Sequence, residues 1–281
     1  LLRNGELTSA ATTSKAPRTV LGTRDDGSCV ILVCDGRQSG LADGISLRDA
    51  ALQLQAQGCT NVVNLGGGGS TIIASRLNGN QTVPVLSSPS DGSARRCANF
   101  IVFVNGGDQS LPASTVAVYP QNEVVMAGAQ VELSSKSFNA DYFPKTTYAE
   151  GFAVTSGGGT VDGNIFTAPD EGGTVTVGAL SGTLASQDAV FTVYETPPFM
   201  SVVRQGSQTA LTRLSLSPGE QVELDVLCSD GVRDIVSQDT CFTFTLTGNA
   251  GTITPEGLFT AGSAPGLSGT LEVTAGEKTV S

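Results

Sequence analysis

The second half of the chain repeats itself once, and that repeat constrains the fold more than any single segment does. Gly128-Ala129-Gln130-Val131-Glu132-Leu133 returns 91 residues later as Gly219-Glu220-Gln221-Val222-Glu223-Leu224. Gly159-Thr160-Val161 and Phe166-Thr167-Ala168 return as Gly251-Thr252-Ile253 and Phe259-Thr260-Ala261, at offsets of 92 and 93. A near-constant offset of this size means two tandem copies of one domain-sized unit. Within each copy, short alternating runs such as Thr174-Val175-Thr176-Val177 and Phe191-Thr192-Val193-Tyr194 are separated by Gly, Asn, Asp and Pro, and no stretch has a helical period. Alternation puts every second side chain on one face, so each copy is predicted to be an all-β sandwich. The copies are placed at 113–195 and 199–281, joined through Thr196-Pro197-Pro198, where proline stiffens the link.

Residues 1–105 are built differently. Residues 19–24, the turn Asp25-Asp26-Gly27 and the apolar run 29–34 predict a hairpin whose second strand is buried on both faces. A helix is expected next. Ser46 serves as its N-cap with Asp49 closing a capping box, Leu47, Ala50, Ala51 and Leu54 form its apolar stripe, and Gly58 ends it. Strands are then expected at 61–65, 71–75 and 100–104, with a linker over 105–112. The expected class is therefore multidomain: an α+β region followed by two all-β sandwiches.

Charge separates the same two regions. Up to Asn105 there are nine basic residues, eight of them Arg, against seven acidic, a net of +2; the remaining residues have six basic and nineteen acidic, a net of −13. The chain has no His, which excludes a Ser-His-Asp triad, an HExxH zinc site or an imidazole acid/base within it. Its overall acidity speaks against nucleic acid as a partner, and no run is long and apolar enough for a membrane span. The N-terminus lacks a signal-peptide pattern, and the opening Leu1-Leu2-Arg3 without Met suggests a piece of a longer protein. Six cysteines form no CxxC pair. Cys29 and Cys34 are expected on opposite faces of their strand as buried thiols, and Cys228 with Cys241 is the first candidate for a disulfide. The acidic residues Asp162, Asp170 and Glu171 read as a solvated surface rather than a calcium site. No cofactor and no metal are expected.

The residues that carry chemistry lie in the first region. In order come Ala16-Pro17-Arg18-Thr19, Val33-Cys34-Asp35-Gly36-Arg37-Gln38-Ser39-Gly40, Asn64-Leu65-Gly66-Gly67-Gly68-Gly69-Ser70-Thr71, and Pro89-Ser90-Asp91-Gly92 followed by Arg95-Arg96 and Asn99. Taken singly these are bland: the glycine run is a tight turn, Asp35-Gly36 and Ser90-Asp91-Gly92 end strands or make turns, and Arg95 and Arg96 are solvated charges. As an ordered set they resemble the phosphodiester glycosidase family, over what would be the C-terminal half of its catalytic domain. The tandem copies, with their Gly, Thr-Ile/Val, turn, Phe-Thr-Ala pattern, resemble bacterial Ig-like domains.

The first resemblance implies hydrolysis of a sugar-1-phosphate diester of the N-acetylglucosamine-1-phosphodiester type. The implied partner is a phosphorylated glycan or cell-wall polymer, and the implied location is secreted or cell-surface. In that setting Gly67, Gly68, Gly69 and Ser70 offer backbone N–H and hydroxyl donors to phosphate, and Arg18 and Arg37 offer guanidinium contacts. Glycoside cleavage usually uses two carboxylates, and Asp35 and Asp91 are the two candidates for catalysis. One departure stands out: the family pattern is Leu-Asp-Gly-Gly-Gly-Ser, and this chain has Gly66 in place of the Asp. The region is therefore a hydrolase using another carboxylate, a degenerate copy that only binds, or a domain carrying an altered residue at 66, with the sandwiches as spacers or as parts of an adhesion protein.

Overall fold

The computed structural model describes residues 1–39, 42–97 and 100–281; Gly40 and Asn99, named above, lie outside them. The chain divides into two compact units, Leu1–Gly106 and Gly107–Ser281. The chain as a whole is mostly β, with several separate sheets. Among the described residues there is one α-helix, and none is long and apolar enough to cross a membrane.

The first unit is organised by a five-stranded antiparallel sheet. Its strands are β1 (Leu2–Arg3), β2 (Glu6–Leu7), β4 (Arg18–Thr23), β5 (Cys29–Cys34) and β7 (Asn61–Gly67), in the spatial order β2-β1-β7-β4-β5. Two short strands, β3 (Lys15–Ala16) and β6 (Ile45–Ser46), pair separately. Helix α1 (Leu47–Ala56) follows β6. Ser46 Oγ accepts the Asp49 N–H at 3.0 Å and donates to Asp49 Oδ2 at 2.6 Å, a reciprocal cap that stabilises the helix by about 1 kcal/mol. Ala50, Ala51 and Leu54 are buried against Leu2, Val20, Cys59 and Val62, so one apolar stripe holds the helix to the sheet. Gly58, at φ +85°, takes the left-handed turn that ends it.

Three expectations for this unit are corrected. β5 is an edge strand, not one covered on both faces: Cys29 and Ile31 are exposed and Cys34 is half-buried. Residues 71–75 form no strand beyond a single bridge between Ala74 and Val85. Residues 100–104 are not a strand either, and their side chains are 56–84 % exposed. Apolar composition gives a segment β propensity, but a strand needs a ladder partner, and the described residues supply none here.

In the second unit the sequence repeat becomes a repeated ladder. Val131 pairs with Phe166 and Phe166 with Val161; in the second copy Val222 pairs with Phe259 and Phe259 with Ile253. In the first copy the opening strand is split across Pro120, which has no N–H to donate to a ladder. Thr115–Tyr119 pairs antiparallel with Ser134–Phe138 in one four-stranded sheet, while Asn122–Met126 runs parallel with Ala189–Tyr194 in another. Both sheets fill one core, in which the Phe166 and Phe191 rings lie 4.6 Å apart.

The copies are not beads on a string. The segment 235–238 of the second copy extends the first copy's sheet: Met126 N–H donates to Val236 C=O and Val236 N–H to Val124 C=O, each at 2.8 Å. Gln130 N–H donates to Gln238 Oε1 at 2.8 Å, and Gln238 Nε2 donates back to Gln130 C=O. Ile235, Val226, Cys228, Phe242 and Val273 then belong to the same buried cluster as Val125 and Phe166. Part of the expected linker is also tied down: Asp108 N–H bonds to Asp141, Asn139 Nδ2 to Asp108 C=O, and Lys145 Nζ to Gln109 C=O. Cys228 and Cys241 are free thiols rather than a disulfide. Burial pushes the Cys228 thiol up to about 12, with neighbouring Cys241 a lesser cause.

All four tyrosines lie in the first copy and the chain has no Trp, so tyrosine fluorescence reports on that copy. Ile235→Ala, in the second copy, is expected to destabilise the tyrosine-monitored unfolding by about 2–4 kcal/mol, because it empties part of a shared core. An unchanged tyrosine transition would mean that the copies are stabilised separately.

Candidate functional site

Strand pairing places the first elements of the site. Arg18, the first residue of β4, lies opposite Cys34, the last of β5, and on its other side opposite Gly67, the last of β7. Three chain segments therefore end at one end of the sheet: Pro17-Arg18, Cys34-Asp35 and the glycine turn. A register shift between Arg18 and Val20 marks where the β4–β7 ladder becomes irregular at that end.

β7 runs directly into a short 3₁₀ turn, Gly68–Ser70. Gly68 has φ +63°, in the region that favours glycine, and its N–H donates to Pro17 C=O at 3.0 Å. The Gly68 amide is thus spent inside the protein, and the donors converging on the turn are mainly side chains. A Cβ on Gly67 would stand 3.8 Å from Arg18 Nη1, and one on Gly68 would stand 3.1 Å from Arg37 Nη1. A Cβ on Gly69, which is buried, would collide with the Asp91 carboxylate and the Arg95 guanidinium. The missing side chain at Gly69 leaves room for the Asp91–Arg95 pair and that at Gly68 for the tip of Arg37, whereas Arg18 stands at ordinary contact distance from Gly67.

Three guanidinium groups therefore surround the turn, with one carboxylate among them. Arg95 donates to Asp91 Oδ2 from Nε at 2.9 Å and from Nη2 at 2.6 Å, and Arg95 Nη1 reaches Ser70 Oγ at 3.4 Å. Arg18 Nη2 donates to Ser14 C=O at 3.1 Å, while its buried Nε has no partner among the described residues. Arg37 sits at φ +58° at the end of the β5 extension and is exposed. Local geometry explains the approach of that loop: a Cβ on Gly36 would stand 2.6 Å from Gly44 Cα, so only glycine fits there.

Asp35 is placed differently from Asp91. Its Oδ2 accepts the Ser88 N–H at 2.8 Å, and Gln38 bonds Ser88 through both its amide atoms. Asp35 Oδ1 is buried without a partner among the described residues. Neighbouring Cys34 has its thiol pushed up by burial and, secondarily, by the Asp35 charge. Of the two carboxylates singled out in the sequence, the structure brings Asp91 onto the glycine turn and Asp35 onto the loop containing Ser88. Arg18, Arg37, Gly67, Gly68, Gly69 and Ser70 come together.

Arg95 is the residue that sequence reasoning passed over as a solvated charge. Two signals pointed to it: its i, i+4 spacing from Asp91, and a glycine at position 69 that leaves space for the pair. Buried polar atoms with no partner cost about 1–3 kcal/mol each, and they concentrate where a ligand completes the network. Arg18 Nε and Asp35 Oδ1 are two such atoms, on residues at the sheet end where the turn begins.

Residues 1–104 match the phosphodiester glycosidase family, a little over a third of the chain. No curated protein matches the chain. Among solved structures, domains 5–6 of the S-layer protein SbsC align at 16 % identity with a TM-score of 0.26, covering 60 % of this chain and 94 % of that one. The Yersinia pseudotuberculosis adhesin InvE aligns at 16 % identity with a TM-score of 0.23, covering 62 % of this chain and 60 % of that one. At such TM-scores neither likeness bears on fold or function.

Gly66, where the family pattern has Asp, is exposed and outside the left-handed region, and a Cβ there would meet only Ser70 Cβ at 3.7 Å, an ordinary contact. Gly66→Asp is therefore expected to fold with stability within about 0.5 kcal/mol of the parent. Gly68→Ala, forced into a left-handed conformation beside Arg37, is expected to lose about 1 kcal/mol or more. Native-state hydrogen exchange of the β7 amides measures both; equal losses would contradict this account of the turn.

Proposed function

We propose that the glycine turn with Arg18, Arg37, Arg95 and Ser70 holds the phosphate of a sugar-1-phosphate diester, as part of a phosphodiester glycosidase. The observation that carries this reading is the convergence of three guanidinium groups on a turn whose glycines leave the backbone uncovered. Guanidinium groups suit a phosphate because their paired N–H donors match its oxygens. The family match over residues 1–104 supports the same chemistry. Asp91, at the turn, and Asp35, at the sheet end, are the carboxylates available for work on the glycosidic bond. The substrate is a phosphorylated glycan or cell-wall polymer of the N-acetylglucosamine-1-phosphodiester type, and the site needs no cofactor or metal.

The first unit is read as an α+β region over residues 1–105. Residues 113–195 and 199–281 are read as Ig-like sandwiches; the split first strand and the twice-repeated ladder support that assignment. Their strongly acidic composition suits a solvated spacer in a secreted or cell-surface protein.

A second reading, a glycan-binding surface or adhesion protein without catalysis, is favoured by Gly66, since the family's Asp would stand beside the phosphate. Hydrolysis and binding of N-acetylglucosamine 1-phosphate methyl diester separate the two. Arg37→Ala is expected to weaken binding about tenfold or more, as loss of a charged hydrogen bond does. Gly66→Asp is expected to raise hydrolysis about 100-fold if the position supplies an acid or base. Gly66 protein that already hydrolyses as fast as the Asp form would rule out degeneracy, and binding without hydrolysis in both forms would favour the second reading.

A further inference from the structure

Tyr142 is held in an unfavourable backbone conformation with its ring in solvent, and Tyr148 stands exposed on the same hairpin of the first copy. We propose that these two rings form a stacking platform for an uncharged, β-linked chain of gluco-configured sugars, a carbohydrate site separate from the glycine turn. The proposal uses nothing of the phosphate site and stands or falls apart from it.

The hairpin joins Ser134–Phe138 to Pro144–Lys145, with Tyr142 in its turn. Among the described residues three that are not glycine have positive φ: Asn4, Arg37 and Tyr142, the last at +62°. Asn tolerates that region, and Arg37 belongs to the candidate site already described. A bulky Tyr does not adopt it unless its surroundings impose it. Here the buried Asn139 imposes it: its Oδ1 accepts the N–H groups of Asp141 at 3.0 Å and Phe143 at 2.9 Å, and its Nδ2 donates to Asp108 C=O at 2.8 Å. Tyr142 N–H donates to Asn139 C=O at 2.9 Å. Residues on both sides of Tyr142 are thus clamped. The clamp sets its ring on that of buried Phe138, with centroids 5.7 Å apart and planes 15° from parallel, while Tyr142 remains 60 % exposed. A ring fixed on one side and open to solvent on the other is already organised for stacking, and its ordering costs a ligand little.

Tyr148 follows on the same edge, where Ala149 N–H donates to Ser135 Oγ at 2.9 Å and keeps the segment beside the strand. The other two tyrosines are engaged: Lys136 Nζ lies 4.5 Å over the Tyr119 ring, and Tyr194 packs against the core. Around the two open rings the surface is polar, with Thr146, Thr147 and Glu150 exposed and Asp141 half-buried. The centre of a protein interface is apolar and poor in charge, and among the described residues of this copy Leu180 is the one other exposed large apolar side chain. Separate rings set among hydroxyls and carboxylates suit a sugar chain instead. The axial C–H groups of a gluco-configured ring make a flat apolar face that lies on a Tyr, and the equatorial hydroxyls around its edge meet the polar neighbours. Six residues of chain span at most about 20 Å between the rings, a reach that linked sugars cover and a single sugar does not.

The test is a nuclear magnetic resonance titration of the full chain with chitotetraose, which carries no charge and no phosphate, and with N-acetylglucosamine as the single-sugar control. Saturable shifts of the Tyr142 and Tyr148 ring resonances are expected with chitotetraose, with the Tyr194 ring and the amides of Gly67–Ser70 unmoved and no saturable shift from the control. Y142N, in which Asn keeps the left-handed turn while removing the ring, and Y148S are each expected to weaken binding about two- to tenfold. Tyrosine rings that do not respond to chitotetraose overturn the proposal, as do variants that bind as the wild type does. Ring shifts that follow protein concentration without sugar overturn it in favour of a second copy as the occupant. The wild-type titration needs no substitution, so it decides the matter even if a variant does not fold, and no result at the tyrosines bears on diester binding at the glycine turn.

Discussion

The pairing of Arg18 is the constraint on which the candidate site depends. β4 lies between β5 and β7, and its first residue is in register with the last residue of each neighbour. That one alignment delivers the Asp35 loop, the glycine turn and Arg18 to the same end of the sheet. Because side chains alternate across a strand, a slip by one residue would turn Arg18 to the opposite face. The register is held from the other side by α1, whose buried Ala50, Ala51 and Leu54 meet Val20 and Val62 on the inner face. Packing of a small apolar core thus fixes the position of polar groups at its rim.

Charge at the site is arranged by absent side chains. Gly68 and Gly69 leave space that a guanidinium or carboxylate occupies, and Gly68 also needs its left-handed backbone. The same two regions differ in charge: the first has a net of +2, and the second, whose two copies pack on one core, has a net of −13. The contact between the copies through Val236 adds a single parallel bridge to the edge of the first copy's sheet, covering part of an edge that would otherwise invite pairing with other chains.

Local signals in the sequence were read well where a residue type has one structural use. Ser46, Asp49 and Gly58 bounded the helix because caps and left-handed turns admit few residues; the Phe-Thr-Ala repeat marked the one ladder that both copies share. The failures share a cause, which is that partners cannot be read from a single segment. Cys29-Val30-Ile31-Leu32-Val33-Cys34 is apolar enough for a central strand, and only the topology makes it an edge. Residues 100–104 have the composition of a strand and no ladder to join. Asp91 and Arg95 read as turn and surface residues until the glycine at 69 is seen to admit them, and the pairing of Val236 with the first copy's sheet edge has no signal in the sequence around it.

The central claim is that the turn at residues 66–70, with its arginines, is where a phosphodiester binds. The most direct measurement is nuclear magnetic resonance of the labelled chain titrated with N-acetylglucosamine 1-phosphate methyl diester. Saturable shifts of the amides of Gly67, Gly68, Gly69 and Ser70 and of the Arg37 and Arg95 Nε–H groups, with the amides of Gly107–Ser281 unmoved, are the predicted result. Shifts confined to the second unit, or none in the turn at saturating diester, would contradict it.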